Sequence, residues 1–97
     1  GLGDVYKRQV LFHKDSTISP SSSLLPGSIV EPRAVIGCQT TIGSSTVVGA
    51  GSIVEPYCII GDGSTLKSGT IVKSTSIVGS NTTIQQGSVL YVPYTEE

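Results

Sequence analysis

His13 is the only histidine among the 97 residues, and histidine is the side chain best suited to exchange protons near neutral pH. Held beside a substrate hydroxyl or amine, it can act as a general base. A zinc site of the three-histidine type needs two more histidines than one chain supplies. The sequence also lacks a Ser-His-Asp arrangement, metal-ligand spacing and a P-loop. It therefore offers His13 as its candidate catalytic residue and predicts no metal ligands.

Aliphatic residues recur at every sixth position, without insertion or loss, from Ile18 to Leu90. A period of six fits neither the 3.6-residue repeat of a helix nor the simple alternation of a strand. It predicts a solenoid built from hexapeptides, and Phe12 would add one hexad before it. Counting the aliphatic residue as position one, the series is Ile18, Leu24, Val30, Ile36, Ile42, Val48, Val54, Ile60, Leu66, Val72, Val78, Ile84 and Leu90.

Two further positions of the hexad are restricted. Position five is always a small residue, from Ser22 to Ser88, and we expect it to point inward beside position one and fill a narrow axis. Position two is glycine in five hexads, and we expect these glycines to supply positive φ at corners. Proline recurs at position three, where its fixed φ suits a turn. The glycines are Gly37, Gly43, Gly49, Gly61 and Gly79; the prolines are Pro20, Pro26, Pro32 and Pro56.

The segments VIGCQTTIGSSTVVGAGSIV and IIGDGSTL resemble the bacterial transferase hexapeptide family, and the resemblance covers residues 18–90. It implies an all-β fold, a left-handed parallel β-helix with three hexads per coil and about four coils. Position two departs from the family pattern at Leu25, Lys67, Lys73 and Gln85. In the family, acyltransferases use a histidine as general base, so the resemblance implies that role for His13. It also implies acyl-CoA or an acyl-carrier protein as donor, a small-molecule substrate, and a trimer.

The chain divides into four parts. Residues 1–9, GLGDVYKRQ, resemble a translated adapter used in preparing DNA libraries, so we expect the natural protein to begin upstream of Val10. Residues 10–17 lead into the repeat, and residues 18–90 form the solenoid. Residues 91–97 break the hexad, and we expect a cap in which Tyr91 and Tyr94 cover the last coil, or the start of a following element.

Outward residues three hexads apart should stack on neighbouring coils of such a solenoid. Sorting position six in this way gives one column that is apolar throughout, and position four beside it is mostly glycine. An exposed apolar stripe flanked by bare backbone can approach another surface closely, so we expect a contact between subunits here. The alternative is that β-branched residues simply suit strands. The interface candidates are Val35, Ile53, Ile71, Val89, Gly51, Gly69 and Gly87.

Charge and cysteine content restrict the function further. The formal net charge is −1 and there is no basic stripe, so we expect no nucleic-acid partner. No apolar run is long enough to cross a bilayer, so we expect no membrane span. Cys38, at position three, and Cys58, at position five, should point in different directions, which predicts two free thiols. Free thiols agree with a cytoplasmic location.

Three functions fit these observations. The first is a CoA- or acyl-carrier-dependent acyltransferase, whose catalytic residues would lie outside this segment because the unbroken register leaves no room for a catalytic loop. The second is the C-terminal assembly or regulatory β-helix of a sugar-1-phosphate nucleotidyltransferase, which IVKSTSIVGSNTTIQQGSVL resembles. The third is a non-catalytic structural solenoid. A Gly-rich nucleotide-binding domain upstream would favour the second, and further hexads with a histidine would favour the first.

Overall fold

The structure is a computed structural model that describes residues 10–93. These residues form fourteen strands of two residues each and no helix. Each strand consists of position six, facing outward, and position one, facing inward. The strands are β1 (Leu11–Phe12), β2 (Thr17–Ile18), β3 (Ser23–Leu24), β4 (Ile29–Val30), β5 (Val35–Ile36), β6 (Thr41–Ile42), β7 (Val47–Val48), β8 (Ile53–Val54), β9 (Ile59–Ile60), β10 (Thr65–Leu66), β11 (Ile71–Val72), β12 (Ile77–Val78), β13 (Thr83–Ile84) and β14 (Val89–Leu90).

The strands stack into three parallel sheets, each forming one side of the solenoid. Sheet A has the order β1-β4-β7-β10-β13, sheet B β2-β5-β8-β11-β14 and sheet C β3-β6-β9-β12. Paired residues are three hexads apart throughout, as in Ile29 with Val47 and Val47 with Thr65. This confirms the predicted parallel β-solenoid of about four coils. Strand β1 carries the same register into residues 10–17, and Phe12 packs half-buried against the core.

The core is a column of position-one and position-five side chains, as predicted. The position-one residues from Leu24 to Val78 are at most 5% exposed, and the position-five residues from Ser22 to Ser76 at most 4%. Burying aliphatic side chains of this size contributes about 1.5–3 kcal/mol each before the cost of ordering the chain. Their stacking therefore stabilises the solenoid.

Position five is polar for a reason that size alone does not give. In five hexads between Thr40 and Thr70, its hydroxyl donates a hydrogen bond to the position-two carbonyl of the corresponding corner on the next coil. The hydroxyls of Ser22 and Ser28 donate instead to carbonyls of their own coil. Thr46 Oγ1 lies 2.9 Å from the Gly61 carbonyl oxygen, and Ser64 Oγ lies 2.9 Å from that of Gly79. No buried side-chain nitrogen or oxygen of residues 10–93 lacks a hydrogen-bond partner. The core column is therefore both close-packed and fully satisfied.

The prediction of positive φ at the position-two glycines is wrong. Positive φ falls on position four of the hexad, at glycines such as Gly51 (φ 70°) and at non-glycine residues such as Thr75 (φ 63°). With proline at position three, this is the pattern of a type II turn. Position two is glycine because the next coil passes too close: a Cβ on Gly61 would lie 2.5 Å from the Ser80 amide nitrogen. Gly79 meets nothing closer than 3.8 Å, because no described coil lies above it.

The segment after Leu90 leaves the coil path and crosses the end of sheet C. The Val92 carbonyl accepts a hydrogen bond from the Ile77 amide at 2.8 Å, and Ser76 and Pro93 form an antiparallel bridge. Tyr91 stays exposed. Residues 1–9 and the rest of the predicted cap, including Tyr94, lie outside the described residues.

The glycines at position two allow a matched test of coil spacing. Gly61→Ala should destabilise the fold by about 1–3 kcal/mol, because its new methyl group overlaps the backbone of the next coil. Gly79→Ala, at the same hexad position without a coil above, should change the free energy of unfolding by no more than about 1 kcal/mol. Urea unfolding followed by circular dichroism measures both. Equal effects of the two substitutions would contradict the account of position two.

Candidate functional site

The corner that joins sheet A to sheet B, here called corner AB, collects one column of polar side chains. These residues occupy position two on successive coils, so each lies directly above the one before. Gly49 interrupts the column and leaves a notch between an acidic and a basic residue. The column, here called the polar column, consists of His13, Glu31, Gly49, Lys67 and Gln85.

Two shallow grooves lie along the polar column and share Glu31. The lower groove, of about 260 Å³, runs from Leu11 and His13 to Glu31 and Pro32. The upper groove, of about 270 Å³, is lined by Glu31, Gly49, Lys67, Ser68 and Gln86, with Val47 and Thr65 of sheet A beside them. An elongated ligand lying along corner AB would meet an imidazole, a carboxylate and an ammonium group in turn.

His13 is exposed, and its ring is held by a local turn. Its Nδ1 accepts a hydrogen bond from the Asp15 amide at 3.1 Å and lies 3.8 Å from Asp15 Oδ2. With Nδ1 as acceptor, a neutral ring carries its proton on Nε2. The nitrogen that faces solvent is then a proton donor. To act as a general base through Nε2, His13 would have to carry its proton on Nδ1 and lose the hydrogen bond from the Asp15 amide.

Glu31 and Lys67 flank the notch without pairing to each other. Glu31 Oε1 accepts a hydrogen bond from the Ala50 amide at 3.1 Å, which fixes the carboxylate against the next coil. Among residues 10–93 no lysine or arginine side chain lies within 4.0 Å of a carboxylate oxygen. The Lys67 ammonium is therefore available to an anionic ligand. Sorting position two by every third hexad, as was done for position six, would have identified this site from the sequence.

The interface candidates stack where the sequence places them, on the outer face of sheet B. Val35 pairs with Ile53, Ile53 with Ile71, and Ile71 with Val89. Ile53 is 37% exposed and Val89 62%. Gly51, Gly69 and Gly87 lie exposed at position four of corner AB, directly before these strands. The fold thus brings His13 and the apolar stripe, far apart in sequence, to the same edge of the solenoid.

Both cysteines are free, as predicted. Cys58 is fully buried at position five, and its Sγ lies 2.9 Å from the Lys73 carbonyl oxygen. Burial raises the pKa of the Cys58 thiol; the nearby Glu55 charge raises it further, while hydrogen bonds from the Ser76 and Thr75 backbone oppose the rise. Cys58 is therefore a protonated core residue and not a nucleophile.

Residues 10–93 contain no group of three or more histidine, cysteine or acidic residues that could hold a metal ion. No helix in this part of the chain is long and apolar enough to cross a membrane.

Comparison with known proteins agrees with this geometry. The family described as "Bacterial transferase hexapeptide (six repeats)" matches residues 39–74. Over residues 39–74 the chain therefore matches the bacterial transferase hexapeptide repeat. The stacked parallel sheets are accordingly those of a left-handed parallel β-helix, as the resemblance implied. No curated protein matches the chain.

Three solved structures with a similar fold are acetyltransferases. Serine acetyltransferase isoform 3 of Entamoeba histolytica, in complex with cysteine, is 19% identical with a TM-score of 0.78, over 99% of this chain and 37% of its own. GDP-perosamine N-acetyl transferase of Caulobacter crescentus, with CoA and GDP-perosamine, is 21% identical with a TM-score of 0.65, over 95% and 55%. The acetyltransferase domain of PglB from Neisseria gonorrhoeae, with acetyl coenzyme A, is 24% identical with a TM-score of 0.52, over 88% and 51%. This chain thus spans less than two thirds of the length of each of these three proteins.

The two thiols give a prediction about reactivity and pH. A thiol reagent at pH 7.5 should modify one cysteine in the folded protein and both in urea, and Cys38→Ser should abolish the reaction of the folded state. Because the pKa of Cys58 is raised by folding, its thiol ionises more readily when unfolded. The contribution of Cys58 to stability is therefore complete below the ordinary thiol pKa of about 8.5 and is lost as pH rises above it.

Cys58→Ser provides the control, because serine occupies position five in other hexads and its hydroxyl can keep the bond to the Lys73 carbonyl. The substitution should reduce the fall in unfolding free energy between pH 8 and pH 10. If the serine variant loses stability as steeply as the parent protein, Cys58 is not responsible for that pH dependence.

Proposed function

We propose that this chain is the β-helix of a transferase that moves an acyl group from acyl-CoA, or from an acyl-carrier protein, to a small-molecule acceptor. The observation that carries the proposal is the polar column on corner AB, with its two grooves, on a solenoid of the transferase hexapeptide type. The three similar structures described above are all acetyltransferases, and two of them hold CoA or acetyl-CoA. An acyl-CoA donor is the extended, anionic type of ligand that such a groove and Lys67 would suit.

The residues that complete the reaction lie, in this proposal, outside the printed sequence. His13 is the only histidine, and its Nδ1 is occupied by the Asp15 amide. The register of the hexads is unbroken from β1 to β14, so no loop of this part of the chain projects over the grooves. The two free thiols agree with a reducing compartment, and we therefore place the enzyme in the cytoplasm.

The apolar stripe on sheet B is, in this proposal, a contact between copies of the chain. It borders the polar column across corner AB, so a second copy docked there would close the grooves on one side. The assembly is a homo-oligomer; the family resemblance implies a trimer, whose three-fold contacts would use faces other than this stripe.

The donor site can be tested by the sign of two charge effects. Lys67→Glu should weaken acetyl-CoA binding by about two- to fivefold, the size of an interaction of roughly 0.5–1 kcal/mol with a solvated charge. Glu31→Gln should strengthen binding, because it removes a negative charge beside the groove and keeps the acceptor for the Ala50 amide. Equilibrium dialysis of acetyl-CoA measures both.

Asp62→Asn is the matched control for Glu31→Gln. It also removes one carboxylate charge by an isosteric change and keeps the acceptor for the Ser44 amide, but it lies at the corner between sheets C and A. If Lys67→Glu and Glu31→Gln leave the affinity for acetyl-CoA unchanged, or if Asp62→Asn changes it as much as Glu31→Gln, the polar column is not the donor site.

The stripe is tested by adding charge to it. Replacing Ile53 and Ile71 by lysine should lower the mass of the assembly by half or more, because the apolar surface that the exposed Ile53 and the half-buried Ile71 would bury is replaced by solvated ammonium groups. Lysines at Thr65 and Thr83, at the same hexad position on sheet A, are the control and should leave the mass unchanged. Sedimentation velocity measures the mass. An unchanged mass in the Ile53/Ile71 variant would show that the stripe is not an interface.

A further inference from the structure

The outer face of sheet B from β5 to β14, here called face B, presents three columns of side chains across four coils; strand β2, with Thr17, lies below it. Position four of corner AB lies on one side, position six in the middle, and position two of the next corner on the other side. Reading upward, the coils present Arg33–Val35–Gly37, Gly51–Ile53–Glu55, Gly69–Ile71–Lys73 and Gly87–Val89–Tyr91.

These positions face the same side of the molecule. A groove of about 450 Å³ is lined by Glu55, Lys73, Ser74, Val89 and Tyr91, which places position two of this corner beside the stripe. Tyr91 is 61% exposed, and Lys73 and the three glycines are exposed as well. Face B is therefore a flat apolar strip bordered by bare backbone on one side and by an acid, a base and an aromatic ring on the other.

The two charges on face B do not neutralise each other within the chain. Glu55 and Lys73 sit at the same corner one coil apart, yet no ion pair of 4.0 Å or less joins them in residues 10–93. Glu55 Oε1 instead accepts a hydrogen bond from the Ser74 amide at 3.0 Å. The second carboxylate oxygen and the Lys73 ammonium are both left for an external partner.

From this pattern we infer that face B binds a second copy of itself with the solenoid axes antiparallel, about a two-fold axis between the coils of Ile53 and Ile71. Rotation about this axis places Glu55 opposite the Lys73 of the second copy, and Lys73 opposite its Glu55. Ile53 then meets Ile71, and Val35 meets Val89. An isologous contact of this kind needs a self-complementary surface, and face B is one.

Side-chain size matches as well as charge. In this arrangement Arg33 lies over Gly87 of the second copy, and Tyr91 lies over its Gly37. The remaining pair, Gly51 and Gly69, lets the two backbones approach closely. Every large side chain that borders the stripe therefore meets a residue without a side chain or one of opposite charge.

Other arrangements of two copies lose this match. A slip of one coil in either direction brings Glu55 against the Glu55 of the other copy, or Lys73 against its Lys73. Parallel axes place Glu55 over Gly51 and Lys73 over Gly69, so no opposite charges meet. Like charges facing each other oppose association, which leaves the antiparallel register as the favoured one.

The contact is small and should be weak on its own. Four coils spaced about 4.8 Å apart make a face only about 19 Å tall, and one hexad is at most about 20 Å long. The resulting area of roughly 400 Å² is below the 800 Å² or so per partner that stable complexes bury. A two-fold contact gives two copies alone, or six when a three-fold ring forms through other faces. The inference rests on the proposed use of the apolar stripe as a contact between copies of the chain, and it does not depend on the acyl donor.

Charge reversal tests the contact. Glu55→Lys and Lys73→Glu should each raise the dissociation constant by about tenfold, since two symmetric ion pairs become two repulsive pairs. An equimolar mixture of the two variants should restore association, because the lysines of one copy then face the glutamates of the other. The double variant Glu55→Lys/Lys73→Glu should also associate like the parent protein. Sedimentation over a range of concentrations measures each constant.

Controls separate this contact from general effects of charge and folding. Glu31→Lys and Lys67→Glu, at position two of corner AB, reverse the same charges where no partner charge is expected, so mixing them should restore nothing. Glu55→Gln keeps the acceptor for the Ser74 amide and should weaken association less than Glu55→Lys. Circular dichroism confirms that each variant is folded.

The outcomes are distinct. Rescue in the mixture and in the double variant supports the antiparallel contact. Single variants without effect, or weakened variants that the mixture does not rescue, overturn it, as does a mass of three copies that is insensitive to Glu55 and Lys73. Acetyl-CoA binding is measured separately on the same proteins, so failure of the donor site and failure of this contact cannot be confused.

Discussion

The spacing between coils is the constraint on which the rest of this structure depends. Each coil lies one strand spacing above the last, and at corners where position two is glycine its backbone comes within contact of the next coil. Gly61 illustrates the consequence, since a methyl group there would overlap the Ser80 amide. The position-five hydroxyl then bonds the carbonyl at the same corner, as Thr46 does with Gly61. Packing and hydrogen bonding thus fix the register together.

A solenoid held in this way separates its inside from its outside completely. The side chains at positions one and five are buried in the core. Those at positions two, three, four and six lie outside it and can differ with function. Because each coil repeats after three hexads, an outward residue lies between residues of the same hexad position on the coils above and below. Side chains that could act together in such a chain are therefore those stacked in one column, 18 residues apart. The polar column of corner AB and the apolar stripe of sheet B are two columns at one edge.

The residue at position two of each corner also explains why grooves lie along the polar column. Where position two carries a side chain, as at Glu31, the carboxylate bonds the amide of the coil above. Where it is glycine, as at Gly49, no side chain fills the space between the flanking side chains, and a notch is left there. Alternation of the two along one corner gives grooves on an otherwise flat prism. The same alternation beside the stripe gives face B its large and small positions.

The sequence by itself determined the solenoid, its register and the composition of its core, because hexad periodicity reports directly which residues point inward. It also determined that Val35, Ile53, Ile71 and Val89 stack, since their separation equals one coil. It assigned the wrong reason to the glycines at position two, because a repeat pattern shows that a side chain is excluded without showing what excludes it. Only the tertiary structure decided that positive φ belongs to position four, that Nδ1 of His13 is occupied by the Asp15 amide, and that Glu55 and Lys73 remain unpaired within the chain. These features depend on distances between coils and on side-chain conformations, which no periodicity in the sequence encodes.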